Sequence, residues 1–174
     1  MRYLVRERLF DIKDDFWVTD ERGDRVFYVN AKFISLHHTL VLEDVNGRKL
    51  ASIEHKLLTF TDAMEVKHDG QVVAKVHKAV FSPLHHKAHI DLTHARGGVA
   101  AQSQGGRLEA VGNIIDKDFE IRDGGQVVAR VSRKWFRIRD TYGVDVASGE
   151  NDALFVAIAI CLDRIHAEEE AQRR

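Results

Sequence analysis

The sequence predicts a mainly β protein in which strands form a shell around one apolar helix. Ala153 to Leu162 is ten apolar residues in a row, whereas a surface helix would show polar positions every third or fourth residue. Ahead of that run the chain repeats one unit, a short strand, a polar turn with glycine and a second strand. One such unit recurs in its letters: Gly70 to Phe81 matches Gly125 to Phe136 at seven of twelve positions, displaced by 55, which implies two related halves of one shell.

The apolar run is poor in β-branched residues and lies between acidic starters, Glu150 and Asp152, and a charged last turn, so a helix over about 152–167 is expected. Ten apolar residues are half of the ~20 needed to span a bilayer, and a helix without a polar face must be enclosed by its own protein. At 174 residues, 44% hydrophobic and 30% charged, the chain suits a single domain over 1–174. Its net charge of -1 provides no global field for nucleic acid. The single cysteine, Cys161, lies inside the apolar run, so no internal disulfide is available and a reducing compartment is expected. MRYLVRERLF alternates charged and apolar residues and does not read as a signal peptide. A cytoplasmic monomer without cofactor is the expectation, with any membrane attachment peripheral.

Tyr3 to Phe10 reads as the first strand. Three hairpins follow: Phe16 to Thr19 turning into Val26 to Phe33, Thr39 to Glu43 turning at Asn46-Gly47 into Leu50 to Lys56, and Met64 to Lys67 turning at Asp69-Gly70 into Val72 to His77. Asn-Gly and Asp-Gly suit hairpin turns because they tolerate positive φ. Ala88 to Thr93, Leu108 to Asn113, Phe119 to Arg122, Val127 to Ile138 and Tyr142 to Val146 complete the shell. Val127, Ala129 and Val131 share one face while Phe136 and Ile138 have the opposite parity, so a one-residue bulge near Arg133-Lys134 is expected. Arg96 to Gly106, small and polar, is the longest loop, Pro83 marks a connection between the halves, and the tail after His166 is expected to fray.

Most motifs that would carry chemistry are missing. There is no nucleophile elbow, zinc-protease helix, dinucleotide fingerprint or phosphate loop. Asp116-Lys-Asp118-Phe-Glu120 opens like a calcium loop but has Ile121 where that loop needs glycine. Ten histidines are the compositional oddity, densest at His85, His86, His89 and His94. His85 and His89 are weak metal candidates, sharing a face on a strand or forming an i,i+4 pair on a helix, and no cysteine or carboxylate is nearby in the sequence to complete a zinc site. Polar surface histidines, and no bound metal, are the expected reading. The other cluster is Arg130, Arg133, Lys134, Arg137 and Arg139, five positive charges in ten residues interleaved with Trp135 and Phe136, echoed by Lys75, Lys78 and Lys87. Such a stretch can meet anionic lipid headgroups or nucleic-acid phosphates, or it can be a solvated strand face whose charge blunts edge pairing.

The segments Val26 to Lys32 with Ser35-Leu36, Leu42 to Leu50 with Ile53 and Lys56, Lys134-Trp135-Phe136 through Asp140 to Val146, and Asp152-Ala153-Leu154 to Asp163 resemble, in order and spacing, the LURP-one-related proteins. The resemblance covers nearly the whole chain and departs from the family's pattern in the longer Ala95 to Gly106 loop. It implies a tubby-C-terminal-like fold, a closed β barrel of about twelve strands around a hydrophobic C-terminal helix, in a superfamily that includes phosphoinositide-binding tubby proteins and phospholipid scramblases. No tubby phosphoinositide motif is matched residue by residue. The leading functional expectation is a non-enzymatic binding or regulatory module that docks on anionic phospholipid or phosphoinositide headgroups through Arg130, Arg133, Lys134, Arg137 and Arg139. The alternatives are a small-ligand carrier or enzyme with a pocket at a barrel mouth, and a DNA-binding protein, which the net charge disfavours.

Overall fold

The structure, a computed structural model, describes residues 1–6, 15–34, 37–55, 63–77, 80–82, 85–93, 106–135 and 141–172. In chain order the strands are β1 (Arg2–Arg6), β2 (Phe16–Asp20), β3 (Arg25–Ile34), β4 (His37–Asp44), β5 (Lys49–His55), β6 (Ala63–His68), β7 (Gln71–His77), β8 (Val80–Ser82), β9 (His85–Leu92), β10 (Arg107–Asn113), β11 (Asp118–Asp123), β12 (Gln126–Ser132) and β13 (Thr141–Val146), followed by α1 (Asp152–Gln172). Twelve of them pair in the order β10-β11-β12-β13-β1-β2-β3-β4-β5-β6-β7-β9, and the antiparallel pairing of β9 with β10 closes the ring. The short β8, which the sequence does not announce, takes His85 to Lys87 of β9, while β7 takes Ile90 to Leu92. At the β1–β13 seam the Met1 ammonium donates to the Val146 carbonyl at 2.6 Å, and the Val146 N–H donates back to Met1 O at 2.8 Å.

The apolar run lies where the sequence expects it, in the middle of the barrel. Leu154 to Leu162 are all buried, with Val156, Ala157, Ile158, Ile160 and Cys161 sealed completely. Asn151 caps the helix, its Oδ1 accepting the Leu154 N–H at 2.9 Å. The helix runs on to Gln172 instead of fraying after His166, because Ala-Glu-Glu-Glu-Ala-Gln is built of strong helix formers.

Four hairpins share one construction. Gly23, Gly47, Gly70 and Gly125 each adopt positive φ, at 86°, 78°, 77° and 98°. Three residues beyond each glycine, Val26, Leu50, Val73 and Val128 are the extra residues of four β-bulges, each skipped by the ladder to the preceding strand. Two of the turns are closed by an aspartate: Asp20 Oδ1 accepts from the Arg22 and Asp24 amides, both at 2.9 Å, and Asp44 Oδ1 from those of Asn46 and Arg48 at 2.9 and 2.8 Å. The other two pair left-handed residues, Asp69 (φ 48°) with Gly70 and Gly124 (φ 54°) with Gly125. At Asn46-Gly47 only the glycine takes positive φ.

The sequence expectation for Val127 to Ile138 is corrected in two respects. β12 ends at Ser132, and Arg133 to Trp135 bend away where the Arg133 amide donates to Lys117 O at 3.0 Å. The bulge lies at Val128, the counterpart of Val73 in the first copy, and not at Arg133-Lys134. Phe136 and Ile138 lie outside the described residues.

Gly112 on β10 gives the fold its tightest backbone approach. Its φ is 132°, and a Cβ there would meet Asp118 O at 2.8 Å and Phe119 Cα at 2.9 Å, both backbone atoms of the paired strand. Gly112→Ala is expected to cost at least 1–3 kcal/mol, the strain of a disallowed backbone alone being about that size, read as a lower urea midpoint at unchanged slope.

Candidate functional site

On β1 the alternation turns Tyr3 and Val5 into the core and leaves Arg2, Leu4 and Arg6 on the outer wall; on β2 Phe16 and Val18 are buried and Trp17 and Thr19 face out. By parity Arg25 belongs with Phe27 and Val29, which are buried. The Val26 bulge reverses it: Arg25 pairs opposite Thr19 and emerges on the outer face. Its guanidinium lies 4.9 Å from the centroid of Trp17, and Tyr28 packs against the same indole at 4.9 Å and 43°. Tyr28 donates to Asp15 Oδ2 at 2.8 Å, and Asp15 Oδ1 accepts the Ala31 amide at 3.0 Å. That hydrogen bond to Asp15 pushes the Tyr28 phenol above its ordinary range. A second stack of the same kind stands nearby, with Arg2 4.4 Å over Trp135 and paired to Glu21 at 3.1 Å and Asp145 at 3.3 Å.

Between the first two strands the wall opens. Among the described residues β1 and β2 pair at Tyr3 with Asp20 and Leu4 with Thr19, while Val5 and Arg6 keep their pairing to β13. A cleft of about 440 Å³ lies there, lined by Leu4, Arg6, Phe16, Trp17, Thr19 and Arg25 together with Asp15, Gly23 and Thr141. That volume suits a small organic ligand. Among the described residues neither Arg6 nor Arg25 has a carboxylate partner, and both oxygens of Asp15 are already hydrogen-bonded.

The basic cluster expected on one strand is divided. Arg130 faces out on β12, its Nε donating to Glu120 Oε1 at 3.0 Å, and Lys134 in the following turn reaches Asp118 Oδ2 at 2.5 Å. Arg133 is exposed in the bend, and Arg137 and Arg139 lie outside the described residues. Arg122, with Arg130, holds the Glu120 carboxyl below its usual range, and Lys134 does the same for Asp118. Depressed carboxylate pKa values give stability that is present above the unfolded value near pH 4 and is lost as pH falls through the folded one. Of the echo, Lys75 pairs with Glu65 at 3.6 Å, Lys87 is exposed, and Lys78 lies outside the described residues.

β9 makes the histidine-rich stretch a strand. His89 Nδ1 stands 3.9 Å from Glu109, and His77 Nε2 is 2.8 Å from Asp91, which also accepts from Arg107 Nε at 2.8 Å. Cross-strand pairing brings Glu109 opposite His89, and Asp91, two residues on from His89 in β9 itself, is already engaged, chiefly by Arg107, which lowers its pKa. The side chain of His85 lies outside the described residues, and among those described no three His, Cys, Asp or Glu side chains gather as for a metal ion. Cys161 is buried, and burial pushes its thiol up to about 12, the opposite of what a nucleophile needs. One ion pair is internal: Lys117, left-handed at φ 52°, sends its ammonium inward to Asp163 of α1 at 2.5 Å and lies 5.8 Å from the Tyr142 ring.

Sequence reasoning missed Trp17, Arg6 and Arg25. The strict alternation of Phe16-Trp17-Val18-Thr19 marks Trp17 as a large aromatic on the solvent face, but nothing in the letters turns Arg25 toward it.

A family model described as LURP-one-related matches residues 1–163. The uncharacterized protein YxjI of Bacillus subtilis (strain 168) is 29% identical over 167 residues, 96% of this chain and 94% of that protein. The X-ray structure of an Arabidopsis thaliana protein superposes with a TM-score of 0.64 at 17% identity, covering 94% of this chain and 89% of the other, a likeness of fold.

Proposed function

The chain belongs to the LURP-one-related family, and from that premise we propose that it is a non-catalytic binding module that attaches to anionic phospholipid surfaces. The observation that carries this reading is the pair of tryptophans on the outside of the barrel, Trp17 beneath Arg25 and Trp135 beneath Arg2. Indole with guanidinium suits a membrane boundary, the ring at the headgroup level and the cation on phosphate. The filled interior supports an external binding surface, since α1 occupies the space a ligand would need inside. No helix is long and apolar enough to cross a membrane among the described residues.

In this reading Arg130 and Lys134 contribute little, being committed to Glu120 and Asp118. Arg133, exposed in the turn that carries Trp135, is a candidate headgroup contact, as are Arg137 and Arg139, which lie outside the described residues; each contact is worth ~1 kcal/mol where it approaches the surface. Co-sedimentation with phosphatidylcholine vesicles, with and without phosphatidylserine, is the test. Binding is expected only with phosphatidylserine, to weaken severalfold between 0.1 and 0.5 M salt as charge is screened, and to fall further in Trp135→Ala and in Arg133→Glu/Arg137→Glu/Arg139→Glu. Equal binding to both vesicle types, or to neither, would overturn the reading.

A further inference from the structure

We propose that the cleft between β1 and β2 binds a single anionic amphiphile, its phosphate or carboxylate head met by Arg6 and Arg25 and its apolar body laid along Leu4 and Trp17. This rests on the preceding reading only in sharing its ligand chemistry; the site is a cleft that takes one molecule, not a surface. Three independent observations converge there. Among the described residues the pairing of β1 with β2 stops at Leu4 and Thr19, and the cleft lies just beyond it. Its two arginines lack carboxylate partners among the described residues, whereas Arg2 on β1 and Arg107, Arg122 and Arg130 on β10 to β12 are all paired. A guanidinium presents a planar fork of donors that matches the oxygens of a phosphate or carboxylate. The third observation is Trp17, held from one side by Tyr28 and overlaid by Arg25, a rigid aromatic anchor that with Leu4 and Phe16 gives the cleft its apolar part. Arg25 reaches the cleft only because the Val26 bulge reverses its face, and bulges that re-aim a side chain are found beside functional sites.

The single-chain probe is octyl phosphate below its micelle concentration. The chain has two tryptophans, so Trp135→Phe leaves Trp17 as the sole indole reporter. Octyl phosphate is expected to change Trp17 fluorescence saturably, with 1-octanol and inorganic phosphate each binding at least 100-fold more weakly, since each lacks half of the ligand. Arg6→Gln and Arg25→Gln are each expected to weaken octyl phosphate at least tenfold at unchanged melting temperature, and Arg25→Lys, which keeps the charge, to weaken it less than Arg25→Gln. Undiminished affinity in both glutamine variants, or equal affinity for octanol, would overturn the proposal. Saturable octyl phosphate binding without vesicle binding would support the cleft with a free amphiphile as ligand and overturn membrane docking. Vesicle binding without octyl phosphate binding would overturn the cleft and leave the docking reading standing.

Discussion

Ala159→Asp is expected to abolish the folded state. Ala159 is 2% exposed on a helix whose neighbours Ile158 and Ile160 are fully sealed, so a carboxylate there is withdrawn from water. Burying such a group costs several kcal/mol, against a total stability of about 5–15 kcal/mol, and extra volume in a packed core adds to the loss. Ile158→Asp should behave alike. Two measurements check it: the cooperative thermal transition by circular dichroism, and the reactivity of Cys161. In the native protein that thiol is buried and pushed up to about 12, so it should react with a thiol reagent only after unfolding, and in the variant it should react at once. A soluble Ala159→Asp protein with an unchanged transition and a shielded thiol would refute the enclosed helix.

Lys117→Met should be the next most damaging change. Lys117 and Asp163 form an ion pair with side chains only 8% and 2% exposed, joining the turn before β11 to the central helix. Removing the ammonium takes the ion-pair partner at 2.5 Å from a carboxylate only 2% exposed, at a cost of about 3–5 kcal/mol, or a fall in Tm on the order of 10 °C for a domain of this size. Methionine keeps most of the lysine's length and has no more difficulty with φ 52° than lysine has, so the loss isolates the charge. The double variant Lys117→Met/Asp163→Leu should recover most of the stability, because replacing a whole buried pair by apolar groups is often nearly neutral. If the double variant were as unstable as the single one, the pair would be acting through geometry and not through an unpaired charge. Chemical denaturation of the four proteins of this cycle gives the coupling directly.

What the sequence discloses is what is encoded locally. The apolar run from Ala153 to Leu162, the Asp69-Gly70 turn and the repeated Gly-Gln-Val-Val-Ala each carry their own signal within a few residues, and a helix inside a β shell follows from them. The end of β12 is different: Arg133 leaves the ladder because its amide meets Lys117 O, a partner that no window around Arg133 contains. The same reason hides the neutralisation of Arg130 by Glu120 and of Lys134 by Asp118, so five clustered positive letters overstate the field they create. Arg25 is the sharpest instance. Strict alternation turns it inward, and only the bulge at Val26, a fact of pairing with β2, brings it over Trp17. The glycine three residues before each bulged apolar residue is the one sequence trace of that device, legible as a pattern once four hairpins are aligned.

The helix that fills the barrel follows all thirteen of the described strands in the chain. A ribosome therefore delivers every inward-facing valine, isoleucine and phenylalanine of the shell before it delivers the segment they enclose. Strand β1 must also wait for β13, which emerges only just before the helix, to occupy its second edge. Long-range pairings of this kind are slow to form and leave strand edges exposed in the meantime. Folding of this domain thus waits until α1 has been made, and a nascent chain released before Asp152 should be a client for chaperones and not a small stable barrel.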